Sequence, residues 1–218
     1  MIGDVRVVDD VPTAFADLVA DGFTLGSTPP YVLGASGGSS GAACFRALGQ
    51  RELPWSRIEL VFVDERCVPW DSPDANGHAI AAALGDALEQ LAGYHRMSCD
   101  QGPEPYEALL EQLGRIDLVQ LGLGPDGHTA SIFPDSDEFG SPSRGLVARN
   151  VDRAGQNPHP RLTLTAKGLA LAATTVVTVM GADKAEAFHA IADGAPLPGA
   201  LVDGPETIWL VDGPAAGG

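Results

Sequence analysis

The sequence predicts an α/β fold: an open, mostly parallel sheet with helices on both faces, of the doubly wound, Rossmann-like kind. Short apolar or β-branched runs alternate with segments of helical composition along the 218 residues. Strands that alternate with helices typically form a parallel sheet whose two faces are covered. Neither an internal repeat nor a linker interrupts this alternation, so we expect one domain over residues 1–218.

The first half of the chain supplies four strands and three helices of this pattern. Short apolar runs predict strands at residues 5–8, 31–33 and 58–63. Pro12 favours a helix start, and the amphipathic segment continues to about residue 20. Helical composition extends over 42–48 and 73–84, where Asp74 or Asn76 is the expected N-cap. Residues 86–93 continue or restart that helix, and a strand is expected at 96–97.

The second half repeats the alternation around a central strand. Glu104 and Glu107 favour the first turn of a helix over 103–113. The predicted strands are 116–121, 146–148, 161–165, 175–180 and 207–211, with a helix at 185–192. Residues 135–160 form a long polar loop around the 146–148 strand, and residues 214–218 form a frayed tail.

Charge excludes two classes of partner. Asp and Glu number 29 against 13 Lys and Arg, which gives a formal charge of −16. Nucleic acids and anionic membrane surfaces both require clustered cations, so we expect neither as a partner. An anionic ligand would require the few cations to be placed together. No signal peptide and no run of membrane-spanning length is present, and we expect a cytoplasmic protein.

The cysteines indicate a reduced protein. Cys44, Cys67 and Cys99 are odd in number and far apart, and the chain has no C-x-x-C pair. This spacing predicts neither a disulfide framework nor a structural zinc site.

Residues 118–134, LVQLGLGPDGHTASIFP, hold the best acid/base candidates. An apolar run ends in a Gly-rich turn that presents Asp126 and His128. In α/β proteins ligands bind at the carboxyl ends of the strands, so this turn predicts an active site. The alternative is a tight turn whose Asp caps the next segment and whose His is solvated.

Residues 34–41, GASGGSSG, lie between a predicted strand and a predicted helix. This arrangement aims backbone N–H groups at a phosphate, and Gly allows the backbone to approach it closely. A flexible Gly-rich loop is the alternative. After the next strand come Asp64, Glu65 and Arg66, which are either surface charges or further site residues.

Three motifs suggest other chemistries. Residues 122–127 match the dinucleotide fingerprint, but Pro134 stops any long helix and 146–148 supplies no acid for a ribose, so we expect no nicotinamide or flavin. Residues 34–38 match the nucleophile elbow around Ser36, with His128 and either Asp126 or Asp64 as partners. That elbow normally follows several strands, and only one or two precede it here. A serine esterase stays open as an alternative.

A metal site is a further alternative. Asp126 and His128 are two residues apart, and His78 or His159 could complete a set of ligands. The regular helical spacing of a zinc protease is missing, so no metal is expected.

Four stretches together resemble the 6-phosphogluconolactonase family, within the group that includes glucosamine-6-phosphate deaminases. They occur in the family's order over about residues 30–190. They are SGGSS (36–40), VDERCVP (63–69), GLGPDGHTASIFP (122–134), and RLTLT (161–165) with GADKA (181–185).

The resemblance implies hydrolysis of 6-phospho-D-glucono-1,5-lactone without metal or organic cofactor, on an open α/β fold. It implies His128 as general base, with Asp126 and Asp64 nearby and Arg66 at the substrate. The implied phosphate ligands are Gly37, Gly38, Ser39, Ser40, Arg161 and Lys184. Water attack on a lactone needs a base that titrates near neutrality, which suits His. Which carboxylate orients the imidazole, and whether the protein is a monomer or a homo-oligomer, stay open.

The chain departs from the family pattern in the phosphate loop. Ser40-Gly41 stands where Thr-Pro is common. The hydroxyl is retained, but the helix start loses the rigidity of a proline. In the deaminases the His segment continues to Asn-Glu-Pro, whereas this chain has Ile132-Phe-Pro134, which favours a lactonase. A non-catalytic sugar-phosphate sensor is a further alternative, although pure binding requires no general base.

Overall fold

Two sheets make up the β structure of the computed structural model, which describes residues 3–24, 30–202 and 206–218. In chain order the strands are β1 (Asp4–Val7), β2 (Tyr31–Ala35), β3 (Ile58–Phe62), β4 (Asp64–Arg66), β5 (Gly93–His95), β6 (Ile116–Gly122), β7 (Val147–Asn150), β8 (Arg161–Leu164), β9 (Ala172–Val179) and β10 (Glu206–Val211). The larger sheet has seven strands in the order β1-β10-β9-β6-β2-β3-β5, and every neighbouring pair is parallel.

Helices connect these strands. They are α1 (Val11–Thr24), α2 (Gly38–Gly49), α3 (Asn76–Leu84), α4 (Glu104–Leu113), α5 (Asp137–Gly140), α6 (Ala166–Leu169), α7 (Ala185–Ala192) and α8 (Gly213–Ala216), with 3₁₀ turns at Trp55–Arg57, Gly85–Gln90, Ala182–Lys184 and Pro198–Leu201. None of the described helices combines the length and the apolar character that crossing a membrane requires.

The large sheet buries alternate residues on its two faces. On β9, Val177 belongs to a cluster with Phe188 of α7, whereas Val176 belongs to the larger core with Phe15 of α1 and Phe45 of α2. This alternation is what a parallel strand covered on both sides requires. The predicted doubly wound α/β fold is therefore confirmed.

The strand order reverses between β2 and β6. From β2 the chain runs outward through β3 to β5, and it returns at β6 on the other side of β2. Loops that leave neighbouring strands in opposite directions at such a point open a crevice at the carboxyl edge of the sheet. The fold thus brings the loop after β2 and the turn after β6 to the same place.

The smaller sheet lies at this edge. Its antiparallel order is β4-β8-β7, and its register sets Arg66 opposite Arg161 and Asp64 opposite Thr163. Backbone hydrogen bonds join Val63, between β3 and β4, to both Ala35 and Leu164. The small sheet therefore continues directly from the carboxyl end of the large one.

Several local predictions were wrong. The strand expected at 96–97 lies at Gly93–His95 instead, where it pairs with β3. Neither Asp74 nor Asn76 caps α3, because Ala75 occupies the cap position and the Glu65 carboxylate accepts the first N–H groups. The expected frayed tail forms α8, capped by Asp212, whose Oδ1 accepts from the N–H of Ala215 at 2.8 Å.

The prediction of a protein without disulfides was also wrong. Cys67, just after β4, is bonded to Cys99, with a Cα–Cα distance of 5.4 Å. The two residues are 32 apart in the chain, and the pairing of β5 with β3 helps to bring their segments together. Cys44 is free and buried, and burial raises the pKa of its thiol to about 12.

Candidate active site

A cleft of about 220 Å³ opens at the carboxyl edge of the large sheet. All the predicted site residues line it except Asp126, which lies behind His128. Those on the wall are Gly37, Gly38, Ser39, Ser40, Asp64, Arg66, His128, Arg161 and Lys184. The four stretches singled out in the sequence therefore converge on one site.

The Gly/Ser loop forms the first wall. Helix α2 begins at Gly38 rather than near residue 42, so Ser39 and Ser40 lie in its first turn. A Cβ at Gly37 would come within 2.1 Å of the Asn76 side-chain oxygen, so this position requires glycine. Unpaired N–H groups at a helix N-terminus favour an anion, as the sequence predicted.

A buried amide behind the loop, Gln120, escaped the sequence prediction. Its Oε1 accepts from the N–H of Ser36 at 3.2 Å, and its Nε2 donates to Thr178 at 2.9 Å. Gln120 is fully buried in β6, where every neighbouring residue of the predicted run except Asp117 is apolar. A lone amide in an apolar strand was the available signal, because a buried polar side chain needs partners.

The turn after β6 holds the imidazole against a carboxylate. Asp126 Oδ1 lies 2.5 Å from His128 Nδ1 and also accepts from the backbone N–H of His128 at 3.1 Å. Burial opposes ionisation of Asp126, but its bonds to His128 outweigh burial and lower the pKa of the carboxyl. Since Nδ1 is engaged, Nε2 is the nitrogen available to a molecule in the cleft.

The residues after His128 take a strained path. Ala130 has a φ of +48°, which non-glycine residues rarely adopt. Thr129 Oγ1 donates to the carbonyl of Gly122 at 2.9 Å, and Thr129 bridges Ile132 across the turn. The surroundings thus impose the strain, a situation that is common at functional sites.

Asp64 does not orient the imidazole. It is 6% exposed, and its Oδ2 accepts from Ser131 Oγ at 2.6 Å, while its Oδ1 is buried without a partner in the part of the chain that is described. Of the two carboxylates that the sequence left open, Asp126 is the one bonded to His128. Ser131 is a further site residue, to which the sequence analysis gave no role of its own within the 122–134 stretch.

Three cations face the cleft in this acidic chain. Arg161 is 4% exposed, and its Nε and one terminal nitrogen have no partner among the described residues. Burial lowers the pKa of Arg161; the charge of Asp64 opposes this effect and that of Arg66 adds to it. Arg66 donates to the Asp74 carbonyl at 2.9 Å, and Lys184 contacts Asp183 at 2.9 Å. Unpaired donors are costly unless an acceptor satisfies them, which indicates an anion site.

Glu65 lies between two site residues but serves the fold. Its carboxylate accepts backbone N–H groups from Arg66, Asn76 and Gly77 at 2.6–2.7 Å. Burial outweighs these bonds and raises the pKa of Glu65. Because side chains alternate along a strand, Glu65 anchors α3 while Asp64 and Arg66 line the cleft.

The alternative chemistries gain no geometric support. Over residues 3–24, 30–202 and 206–218, no hydrogen bond joins the Ser36 side chain to His128, as a nucleophile and its base require. Groups of three or more His, Cys, Asp or Glu side chains suited to a metal are likewise missing from these ranges.

Comparison with known proteins places the chain in a family. The sequence profile of "Glucosamine-6-phosphate isomerases/6-phosphogluconolactonase" matches residues 14–209. The chain belongs to this family. Among its relatives in the family are proteins named 6-phosphogluconolactonase. One, from Mesorhizobium japonicum, is 36% identical over 85% of this chain and 81% of its own length; another, from Synechocystis, is 34% identical over 81% and 80%.

Solved structures of the glucosamine-6-phosphate isomerase/6-phosphogluconolactonase family share the fold. The crystal structure of 6-phosphogluconolactonase from Thermotoga maritima superposes with a TM-score of 0.83 at 26% identity, covering 96% of this chain and 99% of that one. A monomeric glucosamine-6-phosphate deaminase superposes with a TM-score of 0.80 at 20% identity over 98% and 99%, which shows a common fold alone.

Proposed function

We propose that the chain hydrolyses 6-phospho-D-glucono-1,5-lactone to 6-phospho-D-gluconate, in the oxidative pentose phosphate pathway. The observation that carries the proposal is one cleft that combines an imidazole paired with a carboxylate and three cations. Relatives at 34–36% identity that are named 6-phosphogluconolactonase support the same activity.

The phosphate end of the substrate would bind the N-terminus of α2 together with Arg161 and Lys184. In favour of this assignment, the buried guanidinium of Arg161 has unpaired N–H donors. Phosphate oxygens would satisfy those donors and the backbone N–H groups of Gly37–Ser40. Binding energy at this remote group would then fix the lactone carbonyl beside His128.

His128 would act as general base through Nε2. It takes a proton from water as the water oxygen attacks the lactone carbonyl, and Asp126 stabilises the resulting imidazolium. The tetrahedral intermediate collapses, the bond to the ring oxygen breaks, and the imidazolium returns its proton to that oxygen. Arg66 would stabilise the oxyanion. These steps consume one water and require neither metal nor organic cofactor.

The remaining assignments concern Asp64 and location. Asp64 lines the cleft and its Oδ1 has no partner among the described residues, so this carboxylate would accept a hydroxyl of the sugar. We propose the cytoplasm as the place of action. The Cys67–Cys99 disulfide is unusual for that compartment.

The test is a hydrolysis assay on freshly made lactone, coupled to 6-phosphogluconate dehydrogenase and corrected for spontaneous hydrolysis. We expect a clear acceleration that EDTA leaves unchanged. Loss of activity in EDTA would overturn the metal-free mechanism. No acceleration by a folded protein that still binds 6-phosphogluconate would identify a non-catalytic sugar-phosphate binder.

A further inference from the structure

The loop between β7 and β8 contributes a side chain to the cleft that the assigned chemistry does not use. Within residues 151–160, only Asp152, Asn157 and His159 are partly buried, and the other residues are exposed. Of these three, Asn157 lines the cleft. Arg161 and Ser131 line the same cleft.

The Asn157 side chain is held in one orientation. Asp152 Oδ2 accepts from both the backbone N–H and the Nδ2 of Asn157, each at 2.8 Å, while Oδ1 accepts from the N–H of Ala154 at 2.9 Å. Gly155, with a φ of +73°, allows the tight turn that this carboxylate closes. Farther along, His159 Nε2 lies 3.2 Å from Asp74 Oδ2, which ties the loop to the Arg66 side of the cleft.

This orientation determines what Asn157 can recognise. Its amide nitrogen is committed to Asp152, and its Oδ1 has no partner in the described part of the chain. The cleft lining holds two guanidiniums, an ammonium and the N–H groups of the Gly/Ser loop as donors, whereas Asp64 is the one carboxylate among its described residues. These donors suit a phosphate and an oxyanion. The hydroxyl groups of a sugar ring also donate and therefore require acceptors.

We propose that Asn157 accepts a hydrogen bond from a ring hydroxyl of the substrate and thereby helps select polyhydroxylated phospho-lactones. Asp152 is then a positioning residue, because it acts only by holding the Asn157 amide. This inference rests on the proposed function. It adds a determinant of the sugar that is separate from the groups assigned to the phosphate and to the chemistry.

The decisive variants are Asn157→Ala and, as a matched control, Gln156→Ala, which removes an exposed neighbour in the same loop. A lost neutral hydrogen bond weakens binding by roughly 3- to 10-fold. We expect Asn157→Ala to raise KM by about that factor with kcat little changed, because the bond is equally strong in ground and transition states. Gln156→Ala leaves both parameters unchanged.

Two inhibitors separate recognition of the sugar from damage to the cleft. The inhibition constant of 6-phosphogluconate, which carries the hydroxyls, should rise in Asn157→Ala by about the same factor as KM. That of inorganic phosphate should stay constant. Asp152→Asn should shift the same constants in the same direction. Equal weakening of both inhibitors, or no change in either, would overturn the proposal.

The inference and the proposed function fail in different ways. If the wild type does not hydrolyse the lactone, the proposed function fails, yet calorimetric titration with 6-phosphogluconate and with phosphate still compares Asn157→Ala with the wild type. If the wild type hydrolyses the lactone and Asn157→Ala matches it in every constant, only the role of Asn157 fails. Thermal unfolding of each variant verifies that the loop change leaves the fold intact.

Discussion

The two sheets supply different kinds of group to the same cleft. The seven-stranded parallel sheet contributes loops at its carboxyl edge: the Gly/Ser loop after β2 and the His128 turn after β6. The three-stranded antiparallel sheet contributes side chains directly from its strands, namely Asp64, Arg66 and Arg161. Backbone donors and the imidazole thus come from the large sheet, and most of the formal charge comes from the small one.

This division suggests that chemistry and charge recognition are separable. The large sheet should control kcat through His128, and the small sheet should control substrate affinity through Arg161. Variants confined to one sheet test whether the two contributions are independent.

The largest expected effect lies on the large sheet, in His128→Ala. Loss of the general base should lower kcat by about 10²- to 10⁴-fold, with much less change in the inhibition constant of phosphate. The coupled lactonase assay measures the first quantity, and competition by phosphate measures the second. His189→Ala, which removes an exposed imidazole on α7, is the control. Full activity in His128→Ala would eliminate His128 as the base.

The second-largest expected effect is a loss of folding stability when the disulfide that links the two sheets is broken. Breaking the Cys67–Cys99 bond should lower the free energy of unfolding by about 4 kcal/mol, from the entropy of closing a loop of this length. Urea unfolding with and without dithiothreitol measures the difference. The double variant Cys67→Ser with Cys99→Ser should not respond to the reductant. A wild type that is equally insensitive would show that the two thiols are not bonded in solution.

A smaller effect is expected on the small sheet, in Arg161→Gln. A hydrogen bond to a charged group contributes about 1.5–3 kcal/mol, so kcat/KM should fall by roughly 10- to 150-fold. The value of kcat/KM from steady-state kinetics and the inhibition by phosphate should decrease together. Arg149→Gln is the matched control, because Arg149 belongs to the same sheet but donates to the Cys99 carbonyl outside the cleft. A drop in kcat alone would place Arg161 in the chemistry instead.

The smallest effect is on the pH dependence of folding stability, to which one carboxyl group at each sheet contributes with opposite sign. The pKa of Asp126 is lowered in the fold, so its stabilisation is present above the ordinary value and is lost as pH falls through the folded value. The pKa of Glu65 is raised by burial, so its ionised form costs stability, and that cost is relieved as pH falls through the raised value.

Urea unfolding from about pH 7 down to about pH 3 separates these two contributions. The stability advantage of the wild type over Asp126→Asn should shrink below about pH 4. Relative to Glu65→Gln, the wild type should gain stability as the solution becomes acidic. Parallel pH curves for the wild type and either variant would contradict the corresponding assignment.

The same difference between the sheets explains what sequence could predict. A parallel strand buried on both faces is a nearly continuous apolar run. Strands β2, β3 and β6 are such runs apart from Glu59, Asp117 and Gln120, and each ends at a change of composition. No strand of the small sheet is an apolar run of this kind. Strand β4 is the three residues Asp64, Glu65 and Arg66, and its partner β8 lies nearly a hundred residues later. Only tertiary pairing makes those charges a strand.

The site shows a similar limit. The loop after β2 and the His128 turn were predicted from local patterns, because glycine positions and a Gly-rich turn are local requirements. Whether Asp126 or Asp64 orients the imidazole depended on distances across two sheets. The roles of Gln120 and Ser131 depend on partners far away in sequence, which no local spacing reveals. Asn157 is held by the nearby Asp152, but its place in the cleft depends on the tertiary fold.

The disulfide has a consequence for motion. Cys67 directly follows Arg66, and the ring that it closes with Cys99 contains α3 and β5, the outermost strand on that side of the large sheet. Edge strands ordinarily fray first, and their amide hydrogens then exchange independently of the rest. Here the ring joins the edge to the strand that carries Arg66. Amide exchange in β5 should therefore slow and quicken together with exchange in β4, so the edge of the sheet reports on the cleft.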